Sequence, residues 1–163
     1  VIHFINTLGT GFGARAGELT NDRFKFLGAA GYFAAVLICV AGLEYEQNTL
    51  RYGGAVDDAR TVLSSFSNSQ YTGGSMRMAP DAQVADGMLD VVRAGPLRRA
   101  ALVRAFGRIY SGTHTDLDEV WTAQVDRVDF VNPSEQAVLI DGDLYELTPL
   151  SVDVLPGTVR LIV

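Results

Sequence analysis

Short strand-like segments, each followed by a turn signal, recur along most of this chain and constrain its fold more than any other feature. Residues 88–94 alternate apolar and polar side chains as a half-buried strand does. Gly53-Gly54 supplies a hairpin turn between two such segments. The predicted strands are 1–6, 44–52, 60–67, 88–94, 121–131, 136–140, 150–155 and 158–163. Many short strands joined by turns are typical of a β-sandwich.

Two segments have the sequence of helices, at residues 23–43 and 97–110. The second begins directly after Pro96, and proline is well suited to the first turn of a helix. The first contains no charged residue from 26 to 43, about the length of the shortest membrane-spanning helices. Its many alanines and glycines, and the strand-like sequence after it, favour a helix buried against a sheet. We therefore predict an α+β fold, mainly β, in which a β-sandwich-like domain carries helical insertions.

Size and charge limit the domain count and the partners. The chain has 163 residues, of which 48% are hydrophobic, and both values fit a single domain over residues 1–163. A formal net charge of −6 argues against a nucleic-acid partner, because phosphate binding needs a surplus of basic residues. The single cysteine, Cys39, supplies neither a disulfide nor a zinc cluster and fits a reducing cytoplasm. The apolar start without Met predicts a piece of a longer protein.

Acidic residues lie beside a glycine at two places in the sequence, and they are candidates for metal binding or proton transfer. Asp81 and Asp86 lie in the loop at residues 80–87, and carboxylates in an irregular loop suit a hard cation such as Mg²⁺. Asp141-Gly142-Asp143 follows an apolar strand, so that one carboxylate can bind a metal while the other accepts a proton from a hydroxyl. Tight turns account for both sequences equally well.

The glycine-rich residues 9–13 lie between a predicted strand and a predicted helix. Backbone N–H groups at such a junction can hold phosphate. The spacing matches neither the dinucleotide fingerprint nor a P-loop. A tight turn is the favoured interpretation.

An ordered set of short motifs runs along nearly the whole chain. The motifs are FIN at 4–6 leading into GTGFGA at 9–14, SNSQYTGG at 67–74, MAPDA at 78–82, DGMLDV at 86–91, IDGD at 140–143 and VLPG at 154–157. Each motif is weak by itself, but their combination in this order is specific. It resembles the C-terminal domain of the diacylglycerol kinase/sphingosine kinase-like lipid kinases of bacteria.

The resemblance implies a two-domain kinase that moves the γ-phosphoryl group of ATP to a lipid hydroxyl, with Mg²⁺. The implied metal site consists of the Asp86 side chain and the backbone carbonyls of Gln83 and Met88. Asp143 matches the position of the proposed general base, which is commonly Glu in the family, and Asp141 is implied in organising the metal or phosphates. Both are therefore the candidate catalytic residues.

The resemblance also implies a nucleotide-binding half with a Gly-Gly-Asp-Gly motif, which this chain lacks. We expect the chain alone to be inactive, and we expect its partners to be that N-terminal domain and a hydroxyl-bearing lipid such as diacylglycerol. The expected location is the cytoplasm with peripheral contact to a membrane, and a homodimer stays open. Two alternatives also stay open: a non-catalytic β-sandwich module that binds lipid or protein, and a nicotinamide-nucleotide kinase.

Overall fold

The computed structural model describes residues 1–19, 23, 29–73 and 75–159. Within these residues the strands are β1 Thr7–Gly11, β2 Glu46–Tyr52, β3 Ala55–Thr61, β4 Leu63–Ser67, β5 Leu89–Ala94, β6 Val120–Val125, β7 Arg127–Val131, β8 Gln136–Ile140, β9 Asp143–Leu147 and β10 Ser151–Asp153. The helices are α1 Phe12–Leu19, α2 Ala29–Ala41 and α3 Arg99–Ile109, with a short 3-10 helix at Thr113–Asp116.

The strands form two antiparallel sheets that pack face to face. The larger sheet has the order β6-β5-β4-β1-β8-β9, and the smaller has the order β10-β7-β2-β3. Apolar side chains of both sheets fill the space between them, with Phe66 of β4 against Phe130 of β7 at a ring-centroid distance of 5.7 Å. Alternating side chains of each strand point to this core, as a sandwich requires. The predicted mainly-β, sandwich-like fold with helical insertions is confirmed.

The helices cover the other face of the larger sheet. Val36 and Val40 of α2 pack in one apolar cluster with α3 and with Val92 of β5. The buried residues of α3 recur at helical spacing, and they are Leu102, Ala105 and Ile109. Arg99 joins the two helices, because its guanidinium donates hydrogen bonds to the last carbonyls of α2, Val40 at 3.1 Å and Ala41 at 2.9 Å.

Three predicted strands lie elsewhere in the structure. The first strand is Thr7–Gly11 instead of 1–6, since the preceding residues lack strand pairing. The partner of β2 across the Gly53-Gly54 turn is Ala55–Thr61, and the predicted return strand at 60–67 belongs largely to the other sheet as β4. The predicted strand at 121–131 is two strands, because the chain changes sheets at Asp126.

The remaining differences concern the end of the chain and the first helix. Strand β9 was not predicted, and it completes a hairpin with β8. Of the predicted strand at 158–163, only Thr158 and Val159 are described, and neither is in a strand. The predicted helix at 23–43 is confirmed over Ala29–Ala41, whereas 24–28 lie outside the described residues. Among the described residues, no helix combines the length and apolarity needed to cross a membrane.

A fully buried arginine ties the two sheets together. Arg93 of β5 has 0% exposure and forms a 2.6 Å ion pair with Asp57 of β3. Its guanidinium also donates to the backbone carbonyl of Asn48 at 2.7 Å. Tyr52 and Trp121 donate further hydrogen bonds to the same Asp57 carboxylate, at 2.7 and 3.1 Å. The charge of Arg93 is thus paired and hydrogen-bonded, as a buried charge must be.

Candidate functional site

One end of the six-stranded sheet collects most of the candidate residues, and we call it the polar end. The strand register aligns Gln124, Asp90, Ser67 and Thr7 in one row across β6, β5, β4 and β1. The β8–β9 hairpin turn continues this row, because β8 ends at Ile140 and Leu8 pairs with Ile140. The loop that carries Asp86 leads into the same end through the start of β5. The fold therefore brings both acidic motifs to the polar end.

Asp141 holds the hairpin turn against the start of β1. Both Asp141 and Gly142 have positive φ, 50° and 100°, as the central residues of a two-residue hairpin turn require. The Asp141 carboxylate accepts hydrogen bonds from the backbone N–H groups of Ile5, Asn6 and Thr7, at 2.7, 2.9 and 2.9 Å. The predicted turn at Asp141-Gly142 is confirmed, and the Asp141 carboxylate anchors the backbone of residues 5–7.

Asp143 occupies the next position and has a different environment. It begins β9 opposite Ile140, and its side chain is exposed. No side chain of the described residues pairs with its carboxylate. A two-residue turn and the Asp141 anchor hold the backbone on its N-terminal side, so Asp143 presents a free carboxylate from a rigid support. Such a group can accept a proton from a bound hydroxyl.

The Asp86 loop is a tight turn that also places oxygen atoms close together. The Asp86 carboxylate accepts the backbone N–H of Met88 at 2.9 Å, and Gly87 has φ +72°. The backbone carbonyl of Gln83 accepts the Asp86 N–H at a long 3.3 Å. Turn and metal site are compatible here, because each oxygen retains capacity to bind a cation.

Asp90 lies behind this loop and was not singled out as a site residue by sequence reasoning. It is only 6% exposed, and Gln124 donates to one of its carboxylate oxygens at 3.2 Å. The other oxygen, Oδ2, is buried without a hydrogen-bond partner among the described residues. Burial raises the pKa of Asp90, the Gln124 hydrogen bond partly offsets this rise, and the charges of Asp86 and Asp81 raise the pKa further. One sequence signal was present: a carboxylate within a strand whose other residues, apart from Arg93, are apolar.

These oxygens fit a divalent cation of the hard class. In the described residues no three His, Cys, Asp or Glu side chains are close enough to form a metal site by themselves. Mg²⁺ commonly takes only one or two carboxylates together with carbonyl oxygens and water. Asp86, the orphaned Oδ2 of Asp90 and the carbonyls of Gln83 and Met88 supply that kind of set.

Both acidic motifs lie at the polar end, but they are too far apart to bind the same ion. Strands β4, β1 and β8 lie between β5, which follows Asp86, and β9, which begins with Asp143. Four strand spacings separate them by about 19 Å. A cation at Asp86 therefore does not contact the Asp143 carboxylate, and the structure divides the candidates into two sites.

Hydroxyl and amide groups fill the interval between these sites. Thr7, Ser65 and Ser67 are buried, and their hydroxyl oxygens lie 3.0–3.2 Å apart. Beside them, the Asn68 amide donates to the carbonyl of Ile5 at 2.9 Å, and the Ser69 hydroxyl bonds the Asn6 side chain. The start of the motif at residues 67–74 thus contacts the segment that Asp141 anchors.

The glycine-rich residues 9–13 form no phosphate cradle. Gly9 and Gly11 are within β1, where they pair with Ser65 and Leu63 of β4. Gly11 has φ +76°, and a Cβ there meets the Val62 carbonyl at 2.4 Å, so close backbone packing requires this glycine. The tight turn that the sequence favoured is wrong: Gly9 and Gly11 belong to strand β1, and Gly13 belongs to helix α1.

A small apolar cavity of about 40 Å³ lies between α3 and the larger sheet. Its lining includes Leu102 and Phe106 of α3, Phe12 of α1 and Val92 of β5. His114 is the polar exception in the lining. Its Nε2 lies 3.0 Å from the Met78 carbonyl, its Nδ1 is buried without a partner in the described part of the chain, and burial lowers its pKa.

Known proteins share this fold and these sequence features. A diacylglycerol kinase from Mycobacterium tuberculosis is 29% identical over 150 residues, which are 89% of this chain and 48% of the relative. A diacylglycerol kinase from Bacillus subtilis is 27% identical over 152 residues, which are 90% of this chain and 49% of the relative. The chain thus spans about half the length of these curated relatives.

A solved structure and a family profile agree with these similarities. The structure of a diacylglycerol kinase from Bacillus anthracis superposes with a TM-score of 0.61 at 18% identity, covering 95% of this chain and 47% of that chain. At this identity the superposition establishes the fold. The profile described as "YegS C-terminal NAD kinase beta sandwich-like domain" matches residues 6–163. The resemblance found in the motifs is confirmed: this chain belongs to the YegS C-terminal domain family of the diacylglycerol kinase-like lipid kinases.

Proposed function

We propose that this chain is the substrate-side domain of an ATP-dependent kinase that phosphorylates the hydroxyl of diacylglycerol or a related lipid. Family membership supplies the reaction class, and the named relatives supply the substrate class. The structural observation that carries the proposal is the unpaired, exposed carboxylate of Asp143 on a hairpin that Asp141 anchors to β1. The chain matches about half of each relative, so a nucleotide-binding half completes the enzyme.

Asp143 serves as the general base or the orienting group for the lipid hydroxyl. Phosphoryl transfer requires mainly positioning and charge stabilisation, and a carboxylate that accepts the hydroxyl proton completes the acceptor side. The side chain of Asp143 is one methylene shorter than the Glu that is common at this position in the family. The fixed hairpin turn compensates by holding the backbone of Asp143 still, whereas Asp141 supports the turn and does not take part in proton transfer.

The Asp86 site orders the acceptor side of the domain. Asp86 and Asp90 would hold a divalent cation there, which would neutralise their carboxylates and give the orphaned Oδ2 of Asp90 a partner. Because about 19 Å separates this site from Asp143, the residues of the loop act by shaping the polar end.

The test is ATP-dependent phosphorylation of a lipid panel by the full-length protein that contains this domain, beside the 163-residue chain alone. We expect radiolabelled phosphate from γ-labelled ATP in diacylglycerol or a related hydroxyl lipid with the full-length protein in Mg²⁺. We expect no labelled lipid with the chain alone, because it lacks the nucleotide-binding half. A panel of diacylglycerol, monoacylglycerol and sphingosine in mixed micelles identifies the acceptor.

Two outcomes contradict the proposal. Labelled nicotinamide nucleotide in place of labelled lipid assigns the chain to the other kinase branch. A folded full-length protein that labels no lipid, but whose domain binds lipid or protein, assigns it to the non-catalytic modules. Lipid labelling by the isolated chain overturns only the expectation that the second half is required.

A further inference from the structure

Helix α3 presents a basic surface in an acidic protein. Residues 91–115 contain five arginines and no acidic residue, although the whole chain has a formal net charge of −6. Arg93 is buried between the sheets and Arg99 caps α2, which leaves Arg98, Arg104 and Arg108 exposed. No carboxylate of the described residues forms an ion pair with these three. Their charge is therefore available to a partner outside the chain.

Apolar side chains accompany these arginines. Val103 and Tyr110 of the α3 region are 44% and 50% exposed, and Leu37 and Ile38 of α2 are 44% and 50% exposed. The buried sides of both helices belong to one apolar cluster with β5, and the two helices contact each other. Their exposed sides consequently lie on one side of the molecule. Basic and large apolar side chains together on such a surface are typical of helices that lie in a membrane interface.

We propose that this surface, which we call the α2–α3 face, docks the domain on an anionic lipid bilayer. Charge complementarity selects this partner, because three unpaired guanidinium groups on a protein of net charge −6 attract a negatively charged surface locally while the rest of the protein is repelled. The exposed Leu37, Ile38 and Val103 then enter the headgroup region, where apolar side chains leave water. A zwitterionic bilayer offers the apolar contact but lacks the electrostatic attraction.

The inference rests on the proposed function and makes it more specific. The helix that carries the arginines also forms one wall of the apolar cavity of about 40 Å³, through Leu102, Ala105 and Phe106. An acyl chain that leaves the bilayer at the α2–α3 face therefore meets α3 first and the apolar interior behind it. The substrate is then a lipid taken from the membrane plane.

Vesicle cosedimentation tests the inference with the 163-residue chain. The vesicles are phosphatidylcholine alone, or phosphatidylcholine with phosphatidylglycerol. We expect binding to the anionic vesicles that weakens as salt is raised, and little binding to phosphatidylcholine. Each basic residue near an anionic surface strengthens binding about fivefold, so R98Q/R104Q/R108Q weakens it by about a hundredfold. Circular dichroism checks that the variant remains folded.

The control removes three arginine charges from strands of the smaller sheet. Arg51, Arg60 and Arg127 lie on strands β2, β3 and β7 and are exposed, and R51Q/R60Q/R127Q is expected to bind anionic vesicles as the unmodified chain does. Equal loss in both triple variants overturns the assignment of the α2–α3 face. Binding of the unmodified chain that is independent of salt and of phosphatidylglycerol overturns the electrostatic part, and this outcome needs no variant.

The inference and the proposed function fail separately. Lipid phosphorylation in mixed micelles without vesicle binding retains the kinase and overturns the membrane face. Salt-dependent vesicle binding that requires Arg98, Arg104 and Arg108 supports the face even when the full-length protein phosphorylates no lipid.

Discussion

Two carboxylates, one on each sheet of this domain, have opposite surroundings: Asp57 is half-buried and Asp90 is buried. Asp57 lies between the sheets and receives Arg93, Tyr52 and Trp121 on its carboxylate. Burial alone raises the pKa of Asp57, but these hydrogen bonds and the charge of Arg93 outweigh it and lower the pKa. Asp90, three residues before Arg93, has one hydrogen bond from Gln124, and its pKa is raised.

The difference separates a structural group from a functional one. The carboxylate of Asp57 is satisfied entirely by the fold, and it also helps to raise the pKa of Tyr52 to about 12, after burial as the main cause. Asp90 keeps an orphaned oxygen beside two further carboxylates, Asp81 and Asp86. A buried polar group without a partner calls for an explanation, and an ion bound from outside the chain is one. Paired charge thus stabilises this domain, and we propose that the unpaired charge at its polar end serves binding and chemistry.

The largest expected effect follows removal of Arg93. In Arg93→Met, the Asp57 carboxylate stays partly buried without its ion pair, and the backbone carbonyl of Asn48 loses a donor. Breaking a buried ion pair costs about 3–5 kcal/mol of the free energy of unfolding. Urea denaturation followed by tryptophan fluorescence measures this loss.

Arg127→Met is the matched control, because Arg127 pairs with Asp129 and Asp153 on the surface of the smaller sheet. Solvent screens an exposed pair, so the loss in this variant is expected to be much smaller than the loss in Arg93→Met. Equal losses in the two variants contradict the distinction between the buried and the exposed pair.

A smaller loss of stability is expected at the hairpin turn. Asp141→Ala removes the acceptor of three backbone N–H groups, those of Ile5, Asn6 and Thr7, and is expected to cost about 1–3 kcal/mol. Asp143→Ala, two residues away, removes a carboxylate without a partner and is expected to change the free energy of unfolding by less than about 0.5 kcal/mol. Urea titration measures the free energy of unfolding of both variants. A larger loss for Asp143→Ala than for Asp141→Ala contradicts the assignment of Asp141 as the anchor and Asp143 as the reactive group.

Binding of Mg²⁺ is expected to stabilise the chain by about 1.4 kcal/mol at a concentration ten times its dissociation constant. The melting temperature therefore rises on adding Mg²⁺ and returns to its starting value with EDTA. We expect Asp86→Asn and Asp90→Asn to abolish this rise, whereas Asp118→Asn, an exposed carboxylate outside the polar end, keeps it. Thermal scans in which Asp90→Asn responds to Mg²⁺ as the unmodified chain does exclude Asp90 from the site.

The smallest effect is a pH dependence without metal. Because the pKa of Asp90 is raised by folding, the folded state holds this proton over a pH interval in which the unfolded state has lost it. The unmodified chain therefore loses stability as pH rises through that interval. In EDTA, Asp90→Asn is expected to be more stable than the unmodified chain at pH 7, and the gain shrinks toward zero below the ordinary carboxyl pKa of about 4. A gain that persists at low pH indicates that packing, and not charge, causes it.

The sequence predicted strands where alternation and turns are local, and it failed where the chain changes sheets. Strand β8 was predicted with its observed bounds, and the Gly53-Gly54 hairpin has the positive φ values, 56° and 79°, that such turns need. The boundary between β3 and β4 was missed because Val62 alone separates them, and no glycine or proline marks the change of sheet. Pairing with distant strands decides that boundary, and a local pattern does not contain it.

The candidate site was predictable to a similar degree. The acidic motifs at Asp86 and Asp143 could be recognised in the sequence. Their common location at the polar end follows from the strand order, which the motifs do not encode. Asp90 was visible only as a carboxylate in a mostly apolar strand, and the buried Oδ2 without a partner is a property of the folded domain. The pairing of Arg93 with Asp57 was likewise hidden, because 36 residues separate them in sequence.

The most direct measurement is the rate of ATP-dependent diacylglycerol phosphorylation by the full-length protein carrying Asp143→Asn, with Asp143→Glu as the matched variant. A carboxylate that accepts a proton contributes about 10²–10⁴-fold to rate. We expect Asp143→Asn to lose at least a hundredfold in kcat while its urea unfolding is unchanged, and we expect Asp143→Glu, which restores the carboxylate, to remain active. Full activity in a folded Asp143→Asn protein contradicts the assignment of the unpaired carboxylate to the chemistry.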